Sequence, residues 1–367
     1  MSGLLLIGLL FPSCNSRNHS AIIKVKNSLP KYSTQSFVAL QKLYDIDVTQ
    51  ISMFSKNYAY ERLIAFDELD NMYILDGYEG IVSVFDKEGK IIRTFGGTGQ
   101  APREFQRPNT LIIKNNRIYV FQGFNEYKIL SLDGEYFSGG LIQIENPLKF
   151  KAVGDSIYLF RGKTDRKFLV LDLSLTIIDK DLAYNKEIFT YSYPPGLRGP
   201  NYDFRFDNWL LISENGEFYF PKDNLNEYSI IKYSKEGKPE LEFGRSYQVK
   251  EYSKEARDRF NSIYEKEIRR GDMVFPKAPP VIGNLFQDSS KNIWVISGET
   301  YEDNRNPLFE NTIDLFSDKG KWLYSFKSKI LSRYWLYHND RVYRVLPMDI
   351  DNYRQHIEVY KINYSAN

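Results

Sequence analysis

One unit recurs six times along the chain, and this repetition constrains the fold more than any other feature. Its first copy is RLIAFDELDNMYILDGYEGIVSVFDKEGKIIRTFG, residues 62–96. Each copy contains an aromatic residue in a segment that we interpret as the second of four strands. This residue is, in turn, Tyr73, Tyr119, Tyr158, Tyr219, Trp294 and Tyr343. The closer spacings fit propeller blades of about 40 to 50 residues, and the wider ones require insertions.

Turn-forming residues separate the strands of each copy. Between the first and second strands stand Asp70-Asn71, Asn115-Asn116, Gly154-Asp155, Asn215-Gly216 and Asn339-Asp340. Between the third and fourth strands stand Gly89, Gly134, Gly237 and Gly320. These residue types tolerate the positive φ angles of tight hairpins. We therefore expect both turns of each blade to be short.

These patterns predict an all-β fold, a six-bladed β-propeller of four-stranded antiparallel blades over residues 37–365. The sixth copy ends after three strands, so we expect residues 37–44, FVALQKLY, to supply its outer strand and close the ring. A solenoid of the same units would leave its ends uncapped. One helical insertion is predicted near 253–270, where apolar residues follow helical spacing.

An apolar run precedes the only cysteine of the chain. Residues 4–11 are too few to span a bilayer, which needs about 20 residues, and they fit the core of an export signal. A single cysteine, Cys14, excludes a disulfide within the chain. We interpret residues 1–13 as a signal peptide and residues 14–36 as a tether, with an ordinary buried thiol as the alternative role of Cys14.

Two stretches resemble known families. Residues 84–121, VFDKEGKIIRTFGGTGQAPREFQRPNTLIIKNNRIYVF, are similar to the NHL-repeat consensus, and Phe11-Pro12-Ser13-Cys14 is similar to the lipobox of bacterial lipoproteins. The chain thus resembles the six-bladed, NHL-repeat-like or TolB-like propeller lipoproteins of Bacteroidota. This resemblance implies a lipidated Cys14 that anchors an outer-membrane lipoprotein in the cell envelope, on either side of that membrane.

The glycine-rich stretch FGGTGQAPREF, residues 95–105, does not fit a nucleotide-binding loop. The residues after Gly99 lack the Lys and Ser/Thr of a phosphate-binding loop. Pro102 and Pro108 occupy the positions where a dinucleotide-binding motif would start its helix. With a net charge of only +2, the chain also lacks the concentrated positive charge that is typical of a nucleic-acid-binding protein. We expect this stretch to connect two blades, and we expect no nucleic-acid partner.

The predicted connections are unequal on the two sides of the propeller. The turns after the first and third strands are short and share one side, whereas every long connection lies on the other. The long connections are residues 44–61, 96–107, 183–207, 245–281, 298–310 and 347–353. Long loops on a rigid scaffold commonly carry function, so we expect a binding face here for another envelope protein, a peptide or a glycan.

Two groups of residues are the candidates for that face. Polar side chains predicted around the channel mouth are Arg62, Asp76, Arg103, Arg107, Asn109, Gln122, Arg161, Arg205, Asn208, Asp223 and Asn284. The stretch 184–206 adds Tyr191, Tyr193, Tyr202 and Phe204 as an aromatic loop suited to sugars or peptides. The alternative is that the polar side chains cap turns and the rings pack on one another.

Nothing in the sequence indicates a catalytic site. The only histidines are His19 in the tether, His338 at a predicted turn on the other side and His356 on a third strand. We therefore expect no histidine-rich metal site at the mouth, no cofactor and no catalysis. A Ca²⁺ site of carboxylate and amide oxygens stays open, and with it a metal-assisted lyase or hydrolase, and so does carbohydrate binding through residues 184–206.

Overall fold

A computed structural model describes most of the chain. The described residues are 22–31, 37–51, 62–123, 125–142, 147–153, 156–165, 170–178, 184–193, 210–223, 226–249, 251–263, 265–269, 278, 280–297, 310–331, 335–346 and 355–365. They form six sheets, each with a four-stranded antiparallel blade, and the chain is a six-bladed β-propeller as predicted.

The strands follow the order of the sequence repeats. Two strands, β1 (Ile23–Asn27) and β2 (Val38–Asp47), come before the first blade. Blade 1 contains β3 (Ile64–Phe66), β4 (Met72–Asp76), β5 (Ile81–Phe85) and β6 (Ile91–Gly96). Blade 2 contains β7 (Pro108–Lys114), β8 (Arg117–Gln122), β9 (Glu126–Ser131) and β10 (Tyr136–Leu141). Blade 3 contains β11 (Pro147–Val153), β12 (Ser156–Asp165), β13 (Val170–Ile178) and β14 (Tyr184–Tyr193).

The second half of the chain repeats this arrangement. Blade 4 contains β15 (Leu211–Ile212), β16 (Phe218–Pro221), β17 (Ser229–Tyr233) and β18 (Pro239–Arg245). Two helices follow, α1 (Lys254–Ile263) and α2 (Glu265–Arg269). Blade 5 contains β19 (Ile282–Gln287), β20 (Ile293–Ser297), β21 (Asn311–Phe316) and β22 (Trp322–Ser328). Blade 6 contains β23 (Trp335–His338), β24 (Arg341–Val345) and β25 (His356–Tyr364).

The N-terminal strand β2 completes blade 6, which confirms the predicted ring closure. It pairs antiparallel with β25, from Val38 opposite Tyr364 to Asp47 opposite His356. The strand continues beyond the predicted range 37–44 because Ile46 is an inward-facing residue that is 1% exposed. The strand that precedes blade 1 and the last strand of the propeller are thereby joined in one sheet.

The aromatic residues that mark the second strands are core residues in every blade. Tyr73, Tyr119, Tyr158, Tyr219, Trp294 and Tyr343 are all buried. In two blades the aromatic residue of the second strand is hydrogen-bonded to an aspartate that precedes the first turn. Asp67 accepts a hydrogen bond from the Tyr73 hydroxyl at 3.2 Å, and Asp288 accepts one from the Trp294 indole at 2.8 Å. The repeated aspartate and aromatic residue therefore form one structural unit.

The outer strand of blade 3 differs from the sequence prediction. Residues 184–193 were expected to begin a long loop, but they form β14, which pairs antiparallel with β13. Phe189 packs against blade 4, with its ring centroid 5.2 Å from that of Phe218 and 5.0 Å from that of Tyr233. The alternation of rings with Thr190 and Ser192 is a strand pattern, which explains this placement.

The segment predicted as a tether also contains structure. Strand β1, within residues 14–36, pairs parallel with β18 and adds a fifth strand to the sheet of blade 4. Its register runs from Ile23 opposite Leu241 to Asn27 opposite Arg245. Because β18 is the outer strand of its blade, β1 covers an edge that would otherwise expose unpaired backbone groups.

The predicted helical insertion is present in the connection between blades 4 and 5. It consists of α1 and α2 in place of one helix over 253–270. The Ser253 carbonyl accepts a hydrogen bond from the Arg257 amide at 3.2 Å, which places the start of α1 at the predicted position. Within the described residues, neither helix has the length and apolar character needed to cross a lipid bilayer.

Candidate binding face

The long connections all lie on one side of the propeller. We define the loop side as the side with the connections from second to third strands and from one blade to the next. We define the turn side as the opposite side, where first and second strands, and third and fourth strands, are joined by short turns such as 67–71 and 234–238. The longest connections on the loop side are residues 48–63, 97–107, 194–210, 246–281, 298–310 and 346–355.

Two predicted mouth residues shape the connections themselves. Asp76 is 3% exposed and its carboxylate accepts hydrogen bonds from the Tyr78 and Glu79 amides at 2.8 and 3.0 Å. Gln122 is 4% exposed and accepts a hydrogen bond from the Gln106 amide at 3.0 Å. Both side chains are therefore committed to holding the backbone.

The glycine-rich stretch 95–105 is held on blades 1 and 2, as expected for a connection between them. The Lys128 ammonium donates to the carbonyls of Ala101 at 2.7 Å and Glu104 at 2.5 Å. Burial lowers the pKa of Lys128, although the charges of Glu104 and Glu126 act in the opposite direction. The Phe105 ring, at the end of the stretch, is fully buried. These contacts make the connection a fixed part of the propeller.

Two predicted arginines form ion pairs within or between blades. Arg103 pairs with Glu135 at 3.1 Å, beside the turn that joins β9 and β10 on the turn side. Arg161 lies within β12, short of its end at Asp165, and pairs with Glu187 of β14 at 2.8 Å. Neither pair places the arginine in a shared cluster at the channel mouth.

Among the other candidates that the structure describes, Arg107 has the most exposed charged side chain. It is exposed, has a φ of 50°, and its side chain has no polar or ring partner among the described residues. The side chains of Asn109, Asp223 and Asn284 contact nearby groups, namely the Gly123 carbonyl at 3.1 Å, the Asn226 amide at 2.8 Å and the Leu285 amide at 2.7 Å. Arg62 is half-buried.

The aromatic candidates are only partly described. Tyr191 and Tyr193 lie in β14, so the expectation that they belong to a loop is wrong. Tyr202, Phe204, Arg205, Asn208 and the lipidation candidate Cys14 lie outside the described residues. Most of the described mouth residues cap turns or pair with neighbours, and the binding role expected for them stays a prediction.

Sequence reasoning missed a charged cluster between blades 4 and 5. Asp314 is fully buried on β21 and accepts hydrogen bonds from the Tyr228 hydroxyl at 2.6 Å and from Arg245 Nε at 2.7 Å. Burial raises the pKa of Tyr228 well above its usual value, and the Asp314 charge adds to this. Arg245 also lies 4.4 Å above the Tyr228 ring. The only sequence signal was an aspartate in the apolar run NTIDLF, and the cluster ties the two blades together.

The one histidine that has a charged partner in the described residues lies on the turn side, as predicted. His338 Nε2 is 2.9 Å from Asp70 Oδ1, and the His338 ring stacks on Phe66 with centroids 4.1 Å apart. Among the described residues, no group of three or more histidine, cysteine or acidic side chains could hold a metal ion. The contact between His338 and Asp70 joins the turns of blades 6 and 1.

A group of exposed apolar side chains lies on the outer strands of blades 1 and 2. The outer strands β6 and β10 of blades 1 and 2 expose Ile91, Ile92, Tyr136, Phe137 and Leu141. Both strands are outer edges of their sheets within the described residues. In blade 4 the corresponding edge is covered by β1.

Comparison with known proteins agrees with this architecture. Residues 14–193 match the DUF5128 family, described as a 6-bladed beta-propeller. A protein of Bacteroides fragilis assigned as exported has a similar structure, with a TM-score of 0.55 and 12% sequence identity over 94% of this chain and 100% of that one. A member of the DUF4221 family from Bacteroides vulgatus has a TM-score of 0.52 and 11% identity over 90% and 100% of the two chains.

More distant similarity extends to an enzyme. A streptogramin B lyase has a TM-score of 0.42 and 12% identity over 90% of this chain and 98% of that one. No curated protein sequence matches the chain. At these identities the two Bacteroides structures show a common fold and leave the activity to be argued from the site.

Proposed function

Because the chain is a six-bladed β-propeller whose N-terminal half matches the DUF5128 family, we propose that it is a lipid-anchored binding scaffold of the cell envelope. In this proposal the loop side recognises another envelope protein, a peptide or a glycan, and Cys14 carries the lipid. The protein performs no catalysis.

The observation that carries the proposal is the unequal length of the connections. The turns that are described on the turn side, such as 86–90, 213–217 and 317–321, are tight hairpins, whereas the loop side holds segments as long as 246–281. Long connections add little to a propeller core, and they supply variable surface on a rigid frame. A recognition surface built from several blades accounts for this distribution.

Two further observations support export and binding. The DUF5128 match begins at Cys14, directly after the segment that resembles a signal peptide, and one structural neighbour is assigned as exported. The described polar side chains of the mouth, such as Asp76 and Gln122, hold backbone amides and do not converge on a common point. This favours recognition through the long connections over chemistry in the channel.

The binding proposal is tested by exchanging the long connections. Residues 298–309 or 194–209 are replaced by short Gly-Ser linkers, and capture of partners from envelope extract is compared with the parent protein by quantitative mass spectrometry. The matched control is Lys90→Glu, at an exposed turn-side position. We expect a partner retained by the parent and the control and lost by at least one loop variant. Equal capture by every variant, or loss in Lys90→Glu alone, would contradict the proposal.

The anchor is tested separately. Cys14→Ala is expected to abolish incorporation of a labelled fatty acid and to release the protein from the membrane fraction, because no other thiol is present. Ser13→Ala keeps a small residue before the cysteine and is the control that should retain the label. Labelling that persists in Cys14→Ala would show that the lipid, if any, is attached elsewhere.

Two proposals compete with the scaffold: an enzymatic role and carbohydrate binding. Stoichiometric Ca²⁺ or Zn²⁺ in purified protein, together with turnover of a lactone or polysaccharide substrate, would replace the scaffold by a metal-assisted lyase or hydrolase. Binding to a glycan array that is lost in Tyr191→Ala or Tyr193→Ala would favour a carbohydrate ligand. These outcomes differ from capture of a protein through residues 298–309.

A further inference from the structure

We propose that the surface around β1, at the outer edge of blades 4 and 5, faces an anionic lipid bilayer, so that the loop side is turned away from the membrane. This inference rests on the proposed lipid anchor at Cys14. It adds an orientation, and the surface residues that would contact lipid headgroups.

The register of β1 decides from which side the chain leaves the propeller. Strand β18 begins after the turn-side turn 234–238 and ends at the loop-side connection 246–281. Because β1 runs parallel to β18, its first residue lies toward the turn 234–238 of blade 4, whereas its last residue, Asn27, bonds Gly320 and Trp322 at the turn-side turn 317–321 of blade 5. The chain before Ile23 therefore emerges on the turn-side half of the blade 4 edge.

The segment after β1 is fixed to blade 5. The Asn27 amide nitrogen donates to the carbonyls of Gly244 and Gly320, each at 2.9 Å, and its oxygen accepts from the Trp322 amide at 2.9 Å. The Lys31 amide donates to the Trp322 carbonyl at 3.0 Å. These bonds hold β1 and the segment after it on blades 4 and 5. The point at which the chain before Ile23 leaves the propeller is therefore defined.

The length of the tether limits which surfaces can reach the membrane. The residues between Cys14 and Ile23 span at most about 30 Å when fully extended. A compact domain of this length has a radius of gyration of about 21 Å, which corresponds to a width of about 50 Å. Blade 1 lies across the ring from blade 4, so a lipid on Cys14 keeps the blade 4 edge closest to the bilayer.

The charge of this edge suits anionic headgroups. Exposed lysines on β1, on the segment after it and on the neighbouring turns outnumber the exposed carboxylates nearby, which are Glu236 and Asp318 in those turns and Glu240 in β18. One of the lysines, Lys24, is paired with Glu242 of β18 at 3.2 Å. The lysines are Lys24, Lys26, Lys31, Lys235, Lys238, Lys319 and Lys321. Basic residues close to an anionic membrane are attracted to it, and the attraction grows with their number. Ile23 and Leu29, which are 66% and 78% exposed, add apolar contact at the same edge.

A unique thiol tests the orientation. In the lipidated full-length protein Cys14 is blocked, so one added cysteine can carry a fluorophore. Lys235→Cys probes the turn side of blade 4, Asn226→Cys its loop side and Thr94→Cys the outer strand of blade 1; all three positions are exposed. The proteins are bound to phosphatidylglycerol–phosphatidylethanolamine vesicles that contain a headgroup quencher. We expect quenching at Lys235→Cys to exceed that at the other two positions several-fold.

The outcomes separate the orientation from the anchor. Equal or stronger quenching at Asn226→Cys or Thr94→Cys on vesicle-bound protein overturns the orientation and leaves the anchor intact. Failure to float with vesicles, with Cys14 free to react with the fluorophore, overturns the anchor and the orientation together.

The lysines are tested by charge reversal. Lys26→Glu with Lys31→Glu should reduce the quenching at position 235, while Lys90→Glu with Lys361→Glu, on other blades, should leave it unchanged. Equal effects of the two double variants would contradict a role for this surface.

Discussion

Glycines in the turns between third and fourth strands lie against the outer strand of the preceding blade. At Gly134, which has a φ of 85°, a Cβ atom would be 2.4 Å from the Phe95 ring of blade 1. At Gly237 it would be 1.9 Å from the Ile188 carbonyl oxygen of blade 3. The turn residue is therefore selected by contact between blades as well as by its backbone angle.

This contact predicts a difference between two glycine substitutions. Gly123→Ala, at a φ of 58° with nothing within 4 Å of the new Cβ, should lose about 1 kcal/mol from backbone strain alone. Gly134→Ala should lose about 2 to 4 kcal/mol, because crowding against Phe95 is added to the strain. Urea unfolding midpoints measure both; equal losses would mean that the turn moves aside at no cost.

A pH effect is expected at His338. Burial lowers the pKa of His338 below 6.5, although its hydrogen bond and charge interaction with Asp70 oppose the shift. The folded protein therefore binds a proton less readily than the unfolded chain, so the contribution of His338 is fully present above about pH 6.5 and declines as the pH falls toward the folded-state pKa.

The measurement is the free energy of unfolding at pH 7.5 and 5.5. We expect His338→Gln to weaken the acid-dependent loss, with His356→Gln as the control, since His356 lies on β25 away from Asp70. A loss of the same size in wild type and His338→Gln would assign the pH effect to other groups.

Single residues also show why the candidate site was harder to predict than the fold. The sequence shows the same aspartate or glutamine at the end of a strand whether that side chain binds a ligand or a nearby backbone amide. Asp76 and Gln122 proved to hold backbone amides, and only the three-dimensional distances distinguish the two uses. Of the mouth residues that the structure describes, Arg107 alone is both exposed and without a described polar or ring partner.

At the level of elements, regular blades were predictable and their irregular additions were not. Hairpins with Asn or Gly turns gave a clear periodic signal in blades 1, 2, 4 and 5. The outer strand β14 lies among many rings, and its period-two pattern was interpreted as a loop. Strand β1 is short and polar, IKVKN, because it has a partner on one side only; nothing in such a segment indicates a strand without knowledge of the edge it covers.

Because Asn27 of β1 is hydrogen-bonded to both blade 4 and blade 5, we expect its substitution to reduce the stability of the protein. Asn27→Ala removes three hydrogen bonds that link blades 4 and 5 and should cost about 2 to 4 kcal/mol. It should also speed hydrogen exchange of the amides of β18 that face β1. Asn363→Ala, which removes one exposed bond to Gln41, is the matched control and should cost less than about 1 kcal/mol. Unchanged exchange in β18 would mean that β1 is held by its backbone pairing alone.

For the whole molecule, the closing sheet carries a charge network across three strands. Glu358 of β25 accepts hydrogen bonds from Lys42 of β2 at 2.9 Å and from Arg344 of β24 at 3.0 Å. Burial would raise the pKa of Glu358, but the hydrogen bonds from Lys42 and Tyr360 and the nearby positive charges hold it below its usual range. The ring closure predicted from the missing sixth outer strand is thus reinforced by side chains that the repeat pattern does not specify.

Removing this carboxylate should weaken the closure. Glu358→Gln is expected to cost about 1 to 3 kcal/mol near neutral pH, and less as the pH falls below about 4.5, because the wild-type carboxylate loses its stabilising charge as it is protonated in the fold. Asp45→Asn, which affects only the exposed pair with Lys42, should cost less than about 1 kcal/mol. Equal effects of the two substitutions across pH 3 to 7 would argue against the network.

The pairing of β2 with β25 determines when blade 6 can form during synthesis of the chain. Strand β2 must wait for β25, the last strand of the ring, and β1 must wait for β18 of blade 4, so each early segment stays without its partner while the intervening blades are made. Contacts between such distant parts of a sequence form slowly. Because blade 6 closes only once β25 has been made, the chain stays able to pass unfolded through a narrow channel for longer, which is consistent with the export that we propose.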